Sequence, residues 1–326
     1  MFKGAPQAKA WKLFSPTKGL QDKILNKMGY PGEAPKMPKP VHEYRIMVLG
    51  GSSVFMGNPP IPRLIQYQFE KNQCDDVKVY NFGVVSSVTS MELARLIYEV
   101  VDYAPDLVVS YSGFNDMDEP FVADPRPGYP FNYFIYESNP ILDSDIREYP
   151  LLPLVAYGSN LMRNFFPNYF LGEFADIDSL RKKTDYGTLE WREKIADIYI
   201  ENLVKSHKIS DAFDAQFMAF FQPSLYFKDT LSPEEKSHLN TDRMNSTLAL
   251  RQIIRNKMSK IKAKEEIYYV DLTDFFDSHP ETVFSDRIHL TYQYRPVIAE
   301  EIYEYILRYL KNNNDSYGLS AACIGE

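Results

Sequence analysis

Four short stretches carry groups able to do chemistry together. Gly50-Gly51-Ser52-Ser53 presents hydroxyls directly after the apolar run Tyr44-Arg45-Ile46-Met47-Val48-Leu49. Asp286-Arg287-Ile288-His289 sets a carboxylate three residues before an imidazole, and Gly113-Phe114-Asn115-Asp116 offers a side-chain amide. Gly83 closes the run Val77-Lys78-Val79-Tyr80-Asn81-Phe82. A serine hydroxyl is a weak nucleophile until a base takes its proton. A neutral imidazole can do so when a carboxylate holds its other nitrogen as the donor. Ser52, His289 and Asp286 fit these three roles, the Asp–His spacing being short enough for a turn or a first helical turn. A tetrahedral intermediate would then need donors for its oxyanion. The Ser52 N–H, the Gly83 N–H and the Asn115 amide are the candidates. The competing reading is structural: a glycine turn capped by serine, a strand-ending glycine with positive φ, and a turn asparagine bonding its own backbone.

Chemistry of this kind requires elements that bring the stretches together. The hydrophobic pattern predicts strands at about 44–49, 77–82, from 107, 217–221 and 267–270. Helices are expected at about 61–73, at 89–103 with Thr89 or Ser90 as N-cap, at 189–208, at 232–262 and at 294–310. Strands alternating with helices imply a parallel sheet covered on both faces. Ligands bind such sheets outside the carboxyl ends of the strands, where all four stretches fall. Residues 1–43 read as a Lys- and Pro-rich arm, 44–311 as the folded domain and 312–326 as a tail. Within the domain, 117–188 breaks the rhythm with aromatics and prolines, and is too long for a structureless connection. It reads as an inserted subdomain, either a lid over the site or a satellite hydrophobic cluster.

Composition narrows the function. The 326 residues are 44% hydrophobic and 25% charged, ordinary globular values, and the net charge of −8 argues against a nucleic-acid binder. No stretch approaches the roughly 18–20 apolar residues of a membrane span. The N-terminus lacks the apolar run of a signal peptide. Cys74 and Cys323, the two cysteines, lie far apart without C-x-x-C spacing. They suggest neither a zinc site nor a disulfide framework, and suit a reducing, cytoplasmic compartment. Asp271 ends a strand but has no second metal ligand at a telling spacing, so neither metal nor cofactor is expected. The other histidines, His42, His207, His238 and His279, lack a partner pattern and read as non-catalytic.

Taken in order, Ser52, Gly83, Asn115 and His289 resemble the four blocks of the SGNH hydrolases, also called GDSL esterases and lipases. The resemblance covers roughly residues 44–116 and 217–310. Two departures stand out: Gly51 replaces the aspartate of G-D-S, and Tyr292-Gln293-Tyr294 comes after His289-Leu290-Thr291 where a glycine is common. The resemblance implies a three-layer α/β/α sandwich, flavodoxin-like, and metal-free ester hydrolysis through an acyl-enzyme. It also favours Ser52 over Ser53 as nucleophile, and by analogy a small-molecule or carbohydrate ester with a short acyl group. An O-acyltransferase using the same residues, or a catalytically silent binding protein, shares the pattern. A phosphate cradle does not, because neither G-x-x-x-x-G-K-[ST] nor G-x-G-x-x-G is present.

Overall fold

The computed structural model describes residues 25–131, 133–137, 177–312 and 323. Most of the expected arm, of the aromatic insertion and of the tail lies outside the described residues. The chain order is β1 (Tyr44–Gly50), α1 (Ser52–Phe55), α2 (Ile61–Lys71), β2 (Val77–Gly83), α3 (Thr89–Arg95), β3 (Leu107–Ser112) and α4 (Phe114–Val122). It continues with α5 (Tyr133–Glu137), α6 (Ile177–Lys183), α7 (Leu189–Ala212), β4 (Gln216–Phe221), α8 (Pro233–Lys236), α9 (Thr241–Lys264), β5 (Tyr268–Asp271) and α10 (Arg295–Asn312).

The strands pair in parallel in the order β2-β1-β3-β4-β5. Their apolar runs are buried because both faces are covered. On one face Ile46, Val48, Val109 and Phe220 meet Ile65 and Phe69 of α2 and Ile298 and Ile302 of α10. On the other, Met47, Leu49, Val108 and Phe221 meet Trp191 and Ile195 of α7 and Leu250 and Ile254 of α9. Alternate residues of one strand thus feed opposite cores, as the period of two dictates. The result is the expected three-layer α/β/α sandwich. From β1 the chain moves to β2 on one side and later to β3 on the other, so the order reverses at β1/β3. Ligands bind at such a switch point, outside the strand ends.

Three local expectations change. The helix expected over 232–262 is two helices. Ser232 and Glu235 form a reciprocal capping box that opens α8. Asn240 then accepts from the Arg243 N–H at 3.0 Å and starts α9 afresh. Neither Thr89 nor Ser90 caps α3. The N-cap is Val88, without a side-chain bond, and the Asp116 carboxylate of α4 accepts the Thr89 N–H at 3.0 Å. The cysteines are also not separate. Cys74 and Cys323 are paired in a disulfide, with Cα atoms 4.8 Å apart, well inside bridging range. Their separation of 249 residues hides this in the sequence, and the bridge removes the ground for inferring a reducing compartment. Among the described residues no helix is long and apolar enough to cross a membrane.

Candidate active site

The two glycines between β1 and Ser52 are required by close approach. A Cβ on Gly50 would meet Val54 and the Tyr111 carbonyl of β3, and one on Gly51 would collide with the Asn115 amide. The chain can therefore turn sharply off the central strand. It enters α1 at once, with Ser52 as the first residue and Gly51 as N-cap. A first helical residue has no intrahelical acceptor for its N–H, which leaves the Ser52 N–H available beside its own hydroxyl.

His289 arrives from a loop 237 residues further on, with its Nε2 2.8 Å from Ser52 Oγ. Its Nδ1 lies 2.6 Å from Asp286 Oδ2. The other carboxylate oxygen, Oδ1, accepts the backbone N–H groups of Ile288 (2.9 Å) and His289 (2.8 Å). One aspartate thus shapes the turn and orients the ring. Burial alone would raise the Asp286 carboxyl, but the His289 ring and these two amides outweigh it and bring its pKa down to about 2. With an anion fixed at Nδ1, the neutral ring carries its proton there and leaves Nε2 as the acceptor for the serine proton.

The histidine loop is held from beneath by a buried ion pair. Lys228 donates to Glu235 Oε2 at 2.6 Å and to the Glu281 carbonyl at 2.6 Å, and both charged side chains are almost fully buried. Glu235 Oε1 accepts the N–H groups of Val283 (2.9 Å) and Phe284 (3.0 Å). Burial would raise Glu235, yet Lys228 and the backbone donors hold it below its usual range. Removing one partner strands a buried charge. Glu235→Ala is expected to cost roughly 3–5 kcal/mol of unfolding free energy, measured by urea denaturation. A loss below about 1 kcal/mol, the ceiling for an exposed pair, would mean the pair does not anchor this loop.

Asn115, in the first turn of α4, donates one Nδ2 hydrogen to the Ser87 carbonyl at 2.9 Å. A side-chain amide has two such hydrogens, so one remains for a ligand. Next to it Asp116 is buried and pushed up to about 6 by desolvation, and it ties α4 to α3 through Thr89. Asp118, further along α4, pairs with Arg243 of α9 and, at 3.0 Å, with Arg287 of the histidine loop. Glu119 is pushed up to about 8 by burial and then by the Asp118 charge, against a bond from Ser86. These contacts join the helix carrying Asn115 to the loop carrying His289.

Gly83 does not join the site as expected. Val84 N–H turns towards β1 and donates to the Gly50 carbonyl at 3.0 Å. The preceding amide therefore points the other way, off the open edge of the sheet, because successive residues of a strand alternate. There Asn81 Oδ1 takes the Gly83 N–H at 2.9 Å. A donor the sequence reading missed lies three residues on. Ser86 has φ +55°, and its N–H makes no hydrogen bond among the described residues. Its loop is bonded to Asn115 through Ser87. A serine in the left-handed region is uncommon, and no residue-type signal marks it.

The serine, imidazole and carboxylate open onto a cleft of about 200 Å³ whose walls include Met56, Gly57, Ile61, Leu290 and Arg295. Asp271, considered as a metal ligand, is instead bonded to Arg255 at 2.6 Å and to Thr273.

No family model and no curated protein matches the chain. Solved structures do resemble it. An acetyl xylan esterase aligns over 80% of this chain and 99% of its own, with 12% identity and a TM-score of 0.45. A variant of an acetyl xylan esterase from Geobacillus stearothermophilus aligns over 81% and 94%, with 11% identity and a TM-score of 0.44. A GDSL-like lipase from Bacteroides thetaiotaomicron aligns over 82% and 91%, with 12% identity and a TM-score of 0.42.

Proposed function

We propose that the protein is a serine ester hydrolase that works through an acyl-enzyme on a short-chain acyl ester. One observation carries the reading: the Ser52 hydroxyl, the His289 ring and the Asp286 carboxylate form one unbroken hydrogen-bonded line. In the reaction, Ser52 Oγ attacks the ester carbonyl while its proton passes to His289 Nε2. The imidazolium, steadied by Asp286, gives that proton to the departing alcohol oxygen. Water then attacks the acyl-enzyme, losing its proton to Nε2, and Ser52 leaves as the alcohol. The Ser52 N–H, the free hydrogen of Asn115 and the Ser86 N–H, in place of Gly83, hold the oxyanion.

The cleft is smaller than the roughly 300–1,000 Å³ typical of drug-sized ligands, which favours a short acyl group. An O-acetylated carbohydrate is the substrate class that the family resemblance suggests. Fluorophosphonate labelling tests the nucleophile: intact mass should show one adduct, mapping to Ser52 and absent in Ser52→Ala. A folded sample that forms no adduct and hydrolyses no 4-nitrophenyl acetate would end the reading. Asn115→Ala should lower kcat by about 10²–10³ through loss of one oxyanion donor. An unchanged kcat would exclude Asn115 from the oxyanion hole.

A further inference from the structure

The cleft beside Ser52 and His289 contains a guanidinium that no carboxylate among the described residues claims. Arg126, Arg243, Arg251, Arg255 and Arg287 each pair with an acid. Arg295 forms no ion pair among the described residues, although it is only half-buried and lines the cleft with Ser52, Asp286 and His289. It is nevertheless held. Its Nε donates to the Leu290 carbonyl at 3.2 Å, which orients the fork, and among the described residues the terminal nitrogens have no hydrogen-bond partner.

The backbone at Gly57 makes room for it. Gly57 has φ +116°, and a Cβ there would lie 2.7 Å from an Arg295 terminal nitrogen. The cleft is thus narrowed at this end by a fixed cation facing bare backbone. Arg295 also opens α10, an 18-residue helix, whose N-terminal dipole adds positive potential there. Asp286 is the acid that shares the cleft, but its oxygens are turned to the His289 ring and the Ile288 and His289 amides. A neutral ester gains less from an unpaired guanidinium than an anion does. A planar fork with free N–H groups matches a carboxylate.

Building on the hydrolase reading, we propose that Arg295 is a specificity-determining residue, selecting esters that carry a carboxylate on the part seated in the cleft. The test compares kcat/KM, with uncatalysed hydrolysis subtracted, for two pairs of a free carboxylate and its methyl ester. On the acyl side the pair is 4-nitrophenyl hemisuccinate and its methyl ester. On the alcohol side it is 4-acetoxybenzoate and its methyl ester. The charged member of one pair should be favoured by about ten- to a hundredfold, the range of a charge-assisted hydrogen bond. That ratio should collapse towards one in Arg295→Gln and survive in part in Arg295→Lys. In the wild-type protein it should shrink as salt is raised, a readout that needs no variant. Because each measure is a ratio, a general loss of activity does not mimic it. Equal or slower turnover of the charged member in both pairs overturns the proposal, as does a ratio that Arg295→Gln leaves unchanged. Turnover of the neutral esters with no charge preference would reject Arg295's role while sparing the hydrolase reading. Failure on all four esters, with no adduct on Ser52, would reject both.

Discussion

Ser52→Ala is expected to lower ester hydrolysis by about 10⁴–10⁶-fold, and His289→Ala by a similar factor. The two residues act as one unit, since the hydroxyl attacks only as its proton leaves for Nε2, 2.8 Å away. The double variant should therefore be little slower than either single one, the non-additivity expected of groups in one step. Folding should survive both changes. Ser52 contributes no cap to α1, and the main histidine-loop anchors run through Asp286, Glu235 and Lys228 rather than through the imidazole. The measurements are kcat/KM on a 4-nitrophenyl ester, the fluorophosphonate adduct, and the urea midpoint of each variant. Multiplicative losses in the double variant would mean that the hydroxyl and the ring act in separate steps. A Ser52→Ala protein retaining a tenth of wild-type activity would move the nucleophile elsewhere, with Ser53 the first candidate.

The parts of the site visible in the sequence are those set by short-range rules. Asp286 and His289 lie three residues apart, so one turn can bring them together whatever the rest of the chain does. Ser52 and Asn115 come just after apolar runs that must be strands, and an all-parallel sheet delivers the segments leaving its strands to one edge. Gly83 satisfies the same rule and still fails, because the direction of its N–H depends on which side of β2 is paired. Only the strand order, with β2 at the edge, decides that. Ser86 is hidden for a different reason: its left-handed backbone is imposed by the loop and leaves no trace in residue type. The break between α8 and α9 is similar, since Glu235 of α8 is committed to amides at 283 and 284 and Asn240 caps a new helix. The Cys74–Cys323 bridge is a long-range contact across the chain. Arg295 is one of many arginines in the sequence and becomes distinct only when the fold places it in the cleft beside Ser52 and His289.

Asp286→Asn carries the other large expectation, a loss of about 10⁴ in kcat, the size produced when a triad aspartate becomes an amide elsewhere. The substitution is nearly isosteric. The asparagine Oδ1 can still accept the Ile288 and His289 N–H groups, so the turn should persist. At the other oxygen the chemistry reverses. An amide NH₂ placed where Oδ2 meets Nδ1 at 2.6 Å is a donor, and it favours the tautomer with the proton on Nε2. That ring cannot accept from Ser52. Asp286→Ala should be worse for the fold, because it also removes the acceptor for two backbone amides. The wild-type carboxyl, brought down to about 2, stays ionised above that pH. Its charge is therefore constant from mildly acidic to alkaline solution, and an acid limb in the wild-type rate profile cannot be its titration. The Asn variant should accordingly be slow across the whole range, with no pH at which it regains the wild-type rate. The decisive comparison is kcat from pH 5 to 9 for both proteins, with fluorophosphonate labelling rates alongside. Activity within tenfold of wild type would show that the His289 tautomer is set by something other than Asp286.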